Sequence, residues 1–187
     1  NVGIVWAGSP THLGDRFRSL SLRDLAPLRE VNGVRFHSLQ KGPAAAELVT
    51  DRGGEAIAEL GSKLVTFADT AALVDRLDLL ISVDTSVVHL AGALAKPVWT
   101  LVAIPGDWRW LEEREDSPWY PTMRLFRQRE PGAWDDVIAR LKFALEEEVS
   151  ERHVRGGPAR RSVETSSALS PGRPREQPMQ PTDLCRV

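Results

Sequence analysis

From residue 2 to about 148, short apolar runs rich in β-branched residues alternate with stretches in which leucine, valine and alanine return every three or four positions. That alternation predicts an α/β fold, a parallel sheet covered by helices. Val2–Ala7 is a continuous apolar run closed by Gly8-Ser9-Pro10, as expected of a buried parallel strand and the turn at its carboxyl end. A polar loop is expected over Thr11–Arg18, then a helix capped by Ser21 and running to about Val31, with Leu22, Leu25, Leu28 and Val31 at threefold spacing on its inward side. Val34–Leu39 reads as a second strand, ended by Gln40-Lys41-Gly42-Pro43 before an alanine-rich helical start at Ala44, and Lys63–Phe67 reads as a third. Asp69 or Thr70 is the expected cap of a helix carrying Ala71, Leu73, Val74 and Leu77. Leu79–Val83 returns as a fully apolar strand, Asp84-Thr85-Ser86 opens a helix to about Leu94, and Pro97–Val102 forms the next strand, a compact strand–turn–helix–strand unit.

Residues 105–121 break this rhythm with Trp108, Trp110, Trp119 and three prolines, which predicts a structured loop. Its tryptophans either pack over the sheet edge or form a wall toward another domain. Met123–Phe126 adds a last short strand, and Trp134, Val137, Ile138, Leu141 and Leu145 have the spacing of a terminal amphipathic helix over Trp134–Val149. The domain is therefore expected to span residues 1–150. Residues 151–187, with five prolines and the run Gly156-Gly157-Pro158, read as a disordered tail, because they offer too little apolar surface to offset chain entropy. The opening Asn1-Val2-Gly3-Ile4-Val5-Trp6 lacks an initiator Met and starts inside an apolar run, so the sequence reads as a fragment of a longer chain.

At 187 residues with 42% apolar side chains, the chain is long enough for one domain with a real core. The formal net charge of -2 conceals a division: residues 1–150 carry 17 basic and 22 acidic side chains, and 151–187 carry 7 and 4. An acidic folded part lacks the electrostatic footprint of phosphate-backbone binding, so nucleic acid is not an expected partner. No apolar run reaches the ~20 residues of a membrane span. The single Cys185 cannot form an internal disulfide, which fits a reducing compartment, and His12, His37, His89 and His153 do not fall at metal-ligand spacing.

In open parallel α/β sheets a ligand lies beyond the carboxyl ends of the strands. The richest such end here is Ile81-Ser82-Val83-Asp84-Thr85-Ser86-Val87-Val88-His89: a strand stops, two hydroxyl residues occupy a first helical turn, and His89 follows one turn later. The N–H groups of such a turn bind phosphate, and the hydroxyls of Thr85 and Ser86 add hydrogen bonds. The plainer alternative is that Asp84 or Thr85 caps the helix and His89 is a half-buried structural histidine. Gly8 and Ser9 offer main-chain amides near a ligand, and Arg16 and Arg18 offer charge for a diphosphate, or else form an ordinary exposed basic loop. Gln40 and Lys41 end the second strand, where a base or ribose is expected. There is no Walker loop, no GxGxxG after the first strand and no G-x-S-x-G elbow around Ser86, so P-loop, dinucleotide and serine-hydrolase chemistry lack their motifs.

The run Ile81 to Leu94 followed by Lys96-Pro97-Val98-Trp99 resembles the donor-site segment of the heptosyltransferase-like family, glycosyltransferase family nine. Asp107-Trp108-Arg109-Trp110 through Glu115-Asp116-Ser117-Pro118-Trp119-Tyr120-Pro121 is similar to the version found in bacterial tetratricopeptide-repeat proteins. With Val5–Pro10 and Asp15–Ser19, the resemblance covers about residues 2–145. It implies the carboxyl-terminal, Rossmann-like half of a GT-B glycosyltransferase, which holds a nucleotide-diphosphate sugar and needs no cofactor or metal. It further implies that Asp84, Thr85 and Ser86 line the diphosphate and sugar, that His89 shares their helix, that Arg18 faces phosphate, and that the catalytic base comes from a missing amino-terminal acceptor domain. The implied location is cytoplasmic or peripheral to the inner membrane. Many heptosyltransferases have Asp-Thr-Gly where this chain has Asp84-Thr85-Ser86, so heptose specificity does not carry over. The rival expectation is a non-catalytic nucleotide-sugar-binding or scaffold module of a repeat protein.

Overall fold

The apolar runs pair side by side. In the computed structural model, which describes residues 1–156, they form six strands: β1 (Val2–Val5), β2 (Phe36–Ser38), β3 (Ala58–Glu59), β4 (Leu79–Val83), β5 (Val98–Val102) and β6 (Met123–Arg127). All neighbours are parallel and the order is β3-β2-β1-β4-β5-β6, that of a Rossmann-like doubly wound sheet. Every residue of β1, β4 and β5 is buried, because helices cover both faces.

Register explains the two faces. Paired residues in a parallel sheet point the same way, so Ile4, Ile81 and Trp99 form one row and Leu101 with Phe126 another. These rows pack against Leu22, Leu25 and Leu28 and against Val137, Ile138, Leu141 and Leu145 of the terminal helix α5 (Trp134–Gly156). On the other face Leu80, Val98 and Met123 align and meet Val74 of α3 (Phe67–Asp75) and Val87, Val88 and Ala91 of α4 (Ser86–Ala93). No helix among the described residues is long and apolar enough to cross a membrane.

Several expectations shift on the structure. Leu22–Glu30 is a 3-10 helix with Pro27 inside it, not an α-helix. The threefold leucine spacing fits this, since side chains three apart eclipse in a 3-10 helix and Leu22, Leu25 and Leu28 form one straight buried stripe. The third strand is Ala58–Glu59 rather than Lys63–Phe67, where a 3-10 turn (Gly61–Lys63) intervenes. Helix α3 starts earlier than expected. Thr66 is its cap, its hydroxyl accepting from the Asp69 N–H at 3.1 Å while the Asp69 carboxylate accepts from the Thr66 N–H at 2.7 Å. A single helical turn, α1 (Asp15–Arg18), stands within the expected polar loop, and another, α2 (Glu47–Thr50), follows a 3-10 turn over Pro43–Ala46. Helix α5 runs to Gly156, past the expected end near 150; the remainder of the expected tail lies outside the described residues.

The irregular segment before β6 divides its tryptophans. Trp110 is fully buried on the α4 face, while Trp108 and Trp119 are 67% and 56% exposed. Cross-links hold the segment: the Arg127 guanidinium donates to the carbonyls of Trp110, Leu111 and Arg114, and Trp119 Nε1 donates to the Arg109 carbonyl at 3.0 Å. Gly92 on α4 lies under Tyr120, where a Cβ would sit 2.4 Å from the ring.

Beyond the last β1–β2 pairing, Gln40 continues the sheet with its side chain. Its Oε1 accepts from the N–H groups of Trp6 and Ala7 at 3.0 and 2.9 Å, and its Nε2 donates to the carbonyls of Ala7 and Lys41 at 3.0 and 2.8 Å. Gln40→Leu leaves those N–H groups unpaired at about 1–3 kcal/mol each, so urea denaturation should show a loss of at least that size with an unchanged m-value. Gly92→Ala should cost about 1–3 kcal/mol through overpacking against Tyr120, read in the same experiment; a wild-type midpoint would contradict the packing described.

Candidate functional site

Parallel strands deliver all their carboxyl ends to one edge, and the order reverses between β1 and β4, where the chain leaves in opposite directions and a crevice opens. A cleft of about 970 Å³ occupies this edge, within the range of small-molecule sites. Gly8, Ser9, Arg18, Gln40, Lys41, Asp84, Thr85, Ser86 and His89 line it. Arg16 does not; its guanidinium lies 4.5 Å over the exposed Phe17 ring.

Two helix starts border the cleft, and they differ. Helix α3 is closed by the reciprocal Thr66–Asp69 pair, whose hydrogen bonds from the Thr66 main chain and hydroxyl hold the Asp69 carboxyl below its usual range. Helix α4 begins at Thr85, in extended conformation, with no side-chain cap; the Thr85 hydroxyl lies 3.3 Å from Ser82 Oγ instead. The Val88 N–H donates to the Thr85 carbonyl at 3.2 Å, which leaves the Ser86 and Val87 N–H groups for an external acceptor, and the helix dipole adds partial positive charge there. The simple capping alternative for Thr85 is therefore not what the side chain does. Ser86 is exposed and its hydroxyl makes no hydrogen bond among the described residues.

Arg18 joins the two sides of the crevice. Its Nη1 donates to the Asp84 carbonyl at 2.8 Å and its Nε to Asp15 at 3.3 Å, leaving Nη2 without a hydrogen bond among the described residues. Asp15 also accepts from the Ser19 hydroxyl, which in turn accepts from the Gly8 N–H, both at 2.9 Å. The Gly8 amide is thus used internally rather than offered to a ligand. A Cβ there would lie 2.5 Å from Asp15 Oδ1 and 2.6 Å from Arg18 Nη2, so a larger residue would have to displace both side-chain ends. Gln40 likewise lines the cleft with both ends of its amide engaged in the sheet, so its role is to hold the floor. Lys41 donates to the Leu64 carbonyl, tying the end of β2 to the start of α3 while its exposed ammonium keeps further donors.

His89 is one turn along α4. Its ring stacks on buried Trp110 at 5.2 Å, its Nδ1 is 3.1 Å from the Tyr120 hydroxyl, and its Nε2 is 3.9 Å from Asp84 Oδ1. The aromatic segment thereby sets the orientation of a cleft residue. That segment also contributes Asp107 and Arg109 to the lining, which the sequence reading quoted without assigning to a site. Arg109 Nη1 bonds both Asp107 oxygens at 2.9 and 3.0 Å. Burial raises the Asp107 carboxyl, but hydrogen bonds from the Arg109 main chain and guanidinium outweigh it and hold the group below its usual range. The signal for these residues was their position at the end of β5, a strand terminus like the others. Among the described residues no cluster of three or more His, Cys, Asp or Glu is placed to hold a metal.

Comparisons with known proteins place most of this chain among known sequences. The protein FlbA of Caulobacter vibrioides is 31% identical over 149 residues, which cover 77% of this chain and 24% of FlbA; the chain thus spans about a quarter of that relative's length. No solved structure matches. The family match begins at β2, after Gly8 and Arg18, and takes in the α4 start, His89, Asp107 and Arg109: a domain of glycosyltransferase family 9 (heptosyltransferase) is found at residues 36–116.

Proposed function

We propose that this domain is the donor-binding half of a GT-B glycosyltransferase, holding a nucleotide-diphosphate sugar for transfer to an acceptor hydroxyl. The observation that carries the reading is that the α4 start, which has no side-chain cap, and Arg18, whose Nη2 makes no hydrogen bond among the described residues, line one cleft and meet at the Asp84 carbonyl. Both are donors without an internal acceptor, and a diphosphate supplies acceptors and negative charge together. The family match supports a transferase lineage.

In the reaction, the bond between the sugar's anomeric carbon and the diphosphate oxygen breaks, the acceptor oxygen bonds that carbon, and the hydroxyl proton passes to a base. Negative charge grows on the departing diphosphate, where the first-turn amides of α4, the Thr85 and Ser86 hydroxyls and Arg18 stabilise it. Lys41 faces the same cleft from the β2 side and serves the nucleoside. Asp84, within 3.9 Å of His89, positions the sugar. The base is supplied by an opposing acceptor domain of a longer parent chain, which also carries tetratricopeptide repeats and works in the bacterial cytoplasm or at the inner face of its membrane; the domain alone binds donor without turnover.

Isothermal titration of the 187-residue chain with a panel of nucleoside diphosphates should find saturable binding of at least one. Thr85→Ala with Ser86→Ala should abolish it, and Arg18→Ala should weaken it roughly tenfold, about 1.4 kcal/mol. Absence of binding by the folded chain would sink the donor-site reading. Incubated with the corresponding nucleotide sugar and acceptor, the full-length parent should release nucleoside diphosphate, with release reduced at least tenfold by Asp84→Ala. A parent that binds donor and never releases product is a sensor or scaffold module instead.

A further inference from the structure

A second cleft, of about 850 Å³, opens beyond the ends of β5 and β6 and shares Asp107 with the first. Its lining residues include Ile104, Trp108, Glu112, Glu113, Arg127 and Gln128. Gln128 follows β6 and is only 3% exposed. Its Oε1 accepts from the N–H groups of Ile104 and Gly132 at 3.0 and 3.2 Å. Both partners are donors, so the amide cannot be reversed, and its NH₂ end is the one left over. That Nε2 is buried and has no partner among the described residues, an orphan donor on a residue that lines the cleft.

The charges around it select against an anion. Arg127 is committed to the three carbonyls described above, Arg114 is held by both oxygens of Asp116 at 2.6 Å, and Arg109 is held by Asp107. Glu112 and Glu113 are exposed and make no hydrogen bond or ion pair among the described residues. Among the described residues the cleft therefore offers acceptors at its rim, the unpaired Gln128 amide behind its wall, and arginines already engaged by a carboxylate or by carbonyls. It also offers a flat apolar plate: the Trp108 indole is fixed by the Arg109 guanidinium 4.8 Å over it and by Trp119 edge-on at 6.3 Å, yet remains two-thirds exposed. A neutral ligand with many hydroxyl donors, ether or carbonyl acceptors and an apolar C–H face matches all of these features at once. A sugar ring has that chemistry.

We propose that this second cleft binds a neutral sugar ring, stacked on Trp108, with its hydroxyls donating to Glu112 and Glu113 and one oxygen accepting from Gln128. Given the transferase reading above, on which this last step rests, the ring belongs to the acceptor, and Asp107 is the shared wall across which its hydroxyl meets the donor.

The test is titration of the 15N-labelled 187-residue chain with methyl α-glucoside, methyl α-mannoside and methyl N-acetyl-glucosaminide at millimolar concentrations, following the tryptophan indole N–H signals by NMR. At least one neutral glycoside should shift the Trp108 signal saturably, with or without nucleoside diphosphate present. Glu112→Gln with Glu113→Gln should weaken that binding about tenfold, and Trp108→Ala should remove it as read from the Trp119 signal. Methyl glucuronide, the anionic counterpart of the glucoside, should bind at least tenfold more weakly. No saturable shift with any glycoside, binding indifferent to the glutamate pair, or a preference for the glucuronide would each overturn the proposal. Nucleoside diphosphate titration separates the two readings: glycoside binding without nucleotide binding removes the donor site and leaves a sugar site, whereas the reverse removes only this one.

Discussion

The hydrogen bond from Arg18 to the Asp84 carbonyl spans the one point where the sheet's order turns back on itself. Strands β1 and β4 are neighbours, but the chain after each runs to opposite faces, so nothing in the regular ladder holds the segments beyond their ends together. Arg18 does so from one side. Its own position depends on Asp15, on the Ser19 hydroxyl and on a glycine at position 8 small enough to admit both side chains. A guanidinium suits the task because its planar fork reaches a carboxylate, a carbonyl and a further acceptor in fixed directions, which an ammonium cannot. This contact ties the α1 segment to the turn before α4, whose own seat is its packing of Val87, Val88 and Ala91 on the sheet.

Around that contact the polar groups fall into those already satisfied and those left open. The α3 start, the Gln40 amide and the Gly8 N–H are closed by partners within the chain. The α4 start, Arg18 Nη2 and the Ser86 hydroxyl are open. Burial and satisfaction, more than residue type, therefore separate the residues that build the cleft from those available to a ligand within it.

This separation also marks what could be read from the sequence. The sheet, its two covering layers and the strand–turn–helix unit at Asp84 were legible because they rest on apolar runs and spacing, which are local. The third strand was not: Ala58–Glu59 is two exposed residues long and is defined by pairing with His37 and Ser38, which no local pattern records. The leucine stripe at 22, 25 and 28 was visible while its 3-10 form was not, since threefold spacing also fits one face of an α-helix. Site residues behaved similarly. Asp84, Thr85, Ser86 and His89 share one continuous segment and were found together. The engagement of Gln40 with Trp6 and Ala7, and the arrival of Asp107 and Arg109 in the cleft, depend on contacts more than thirty residues apart or on a loop without periodicity. Arg16 and Arg18, two positions apart on one helical turn, necessarily point differently, and only the second enters the cleft.

Ser86 shows how such distinctions bear on specificity. Heptosyltransferases commonly have glycine at the matching position, and a glycine is required in a fold either for a positive φ or for close approach by another atom. The first reason is absent here, because the positive-φ non-glycine residues among those described are Ala95 and Leu111. The serine therefore carries no backbone strain of that kind. Its side chain stands at the helix start beside the uncapped amides, where it adds one hydrogen-bonding oxygen and removes the volume that a bare Cα would leave. Under the donor-site proposal, a sugar that needs close approach to the main chain is disfavoured there, and one presenting an oxygen at that depth gains a partner. On the proposed donor reading, this is the position at which sugar preference departs from that of the Asp-Thr-Gly enzymes, with the main-chain amides of the helix start unchanged.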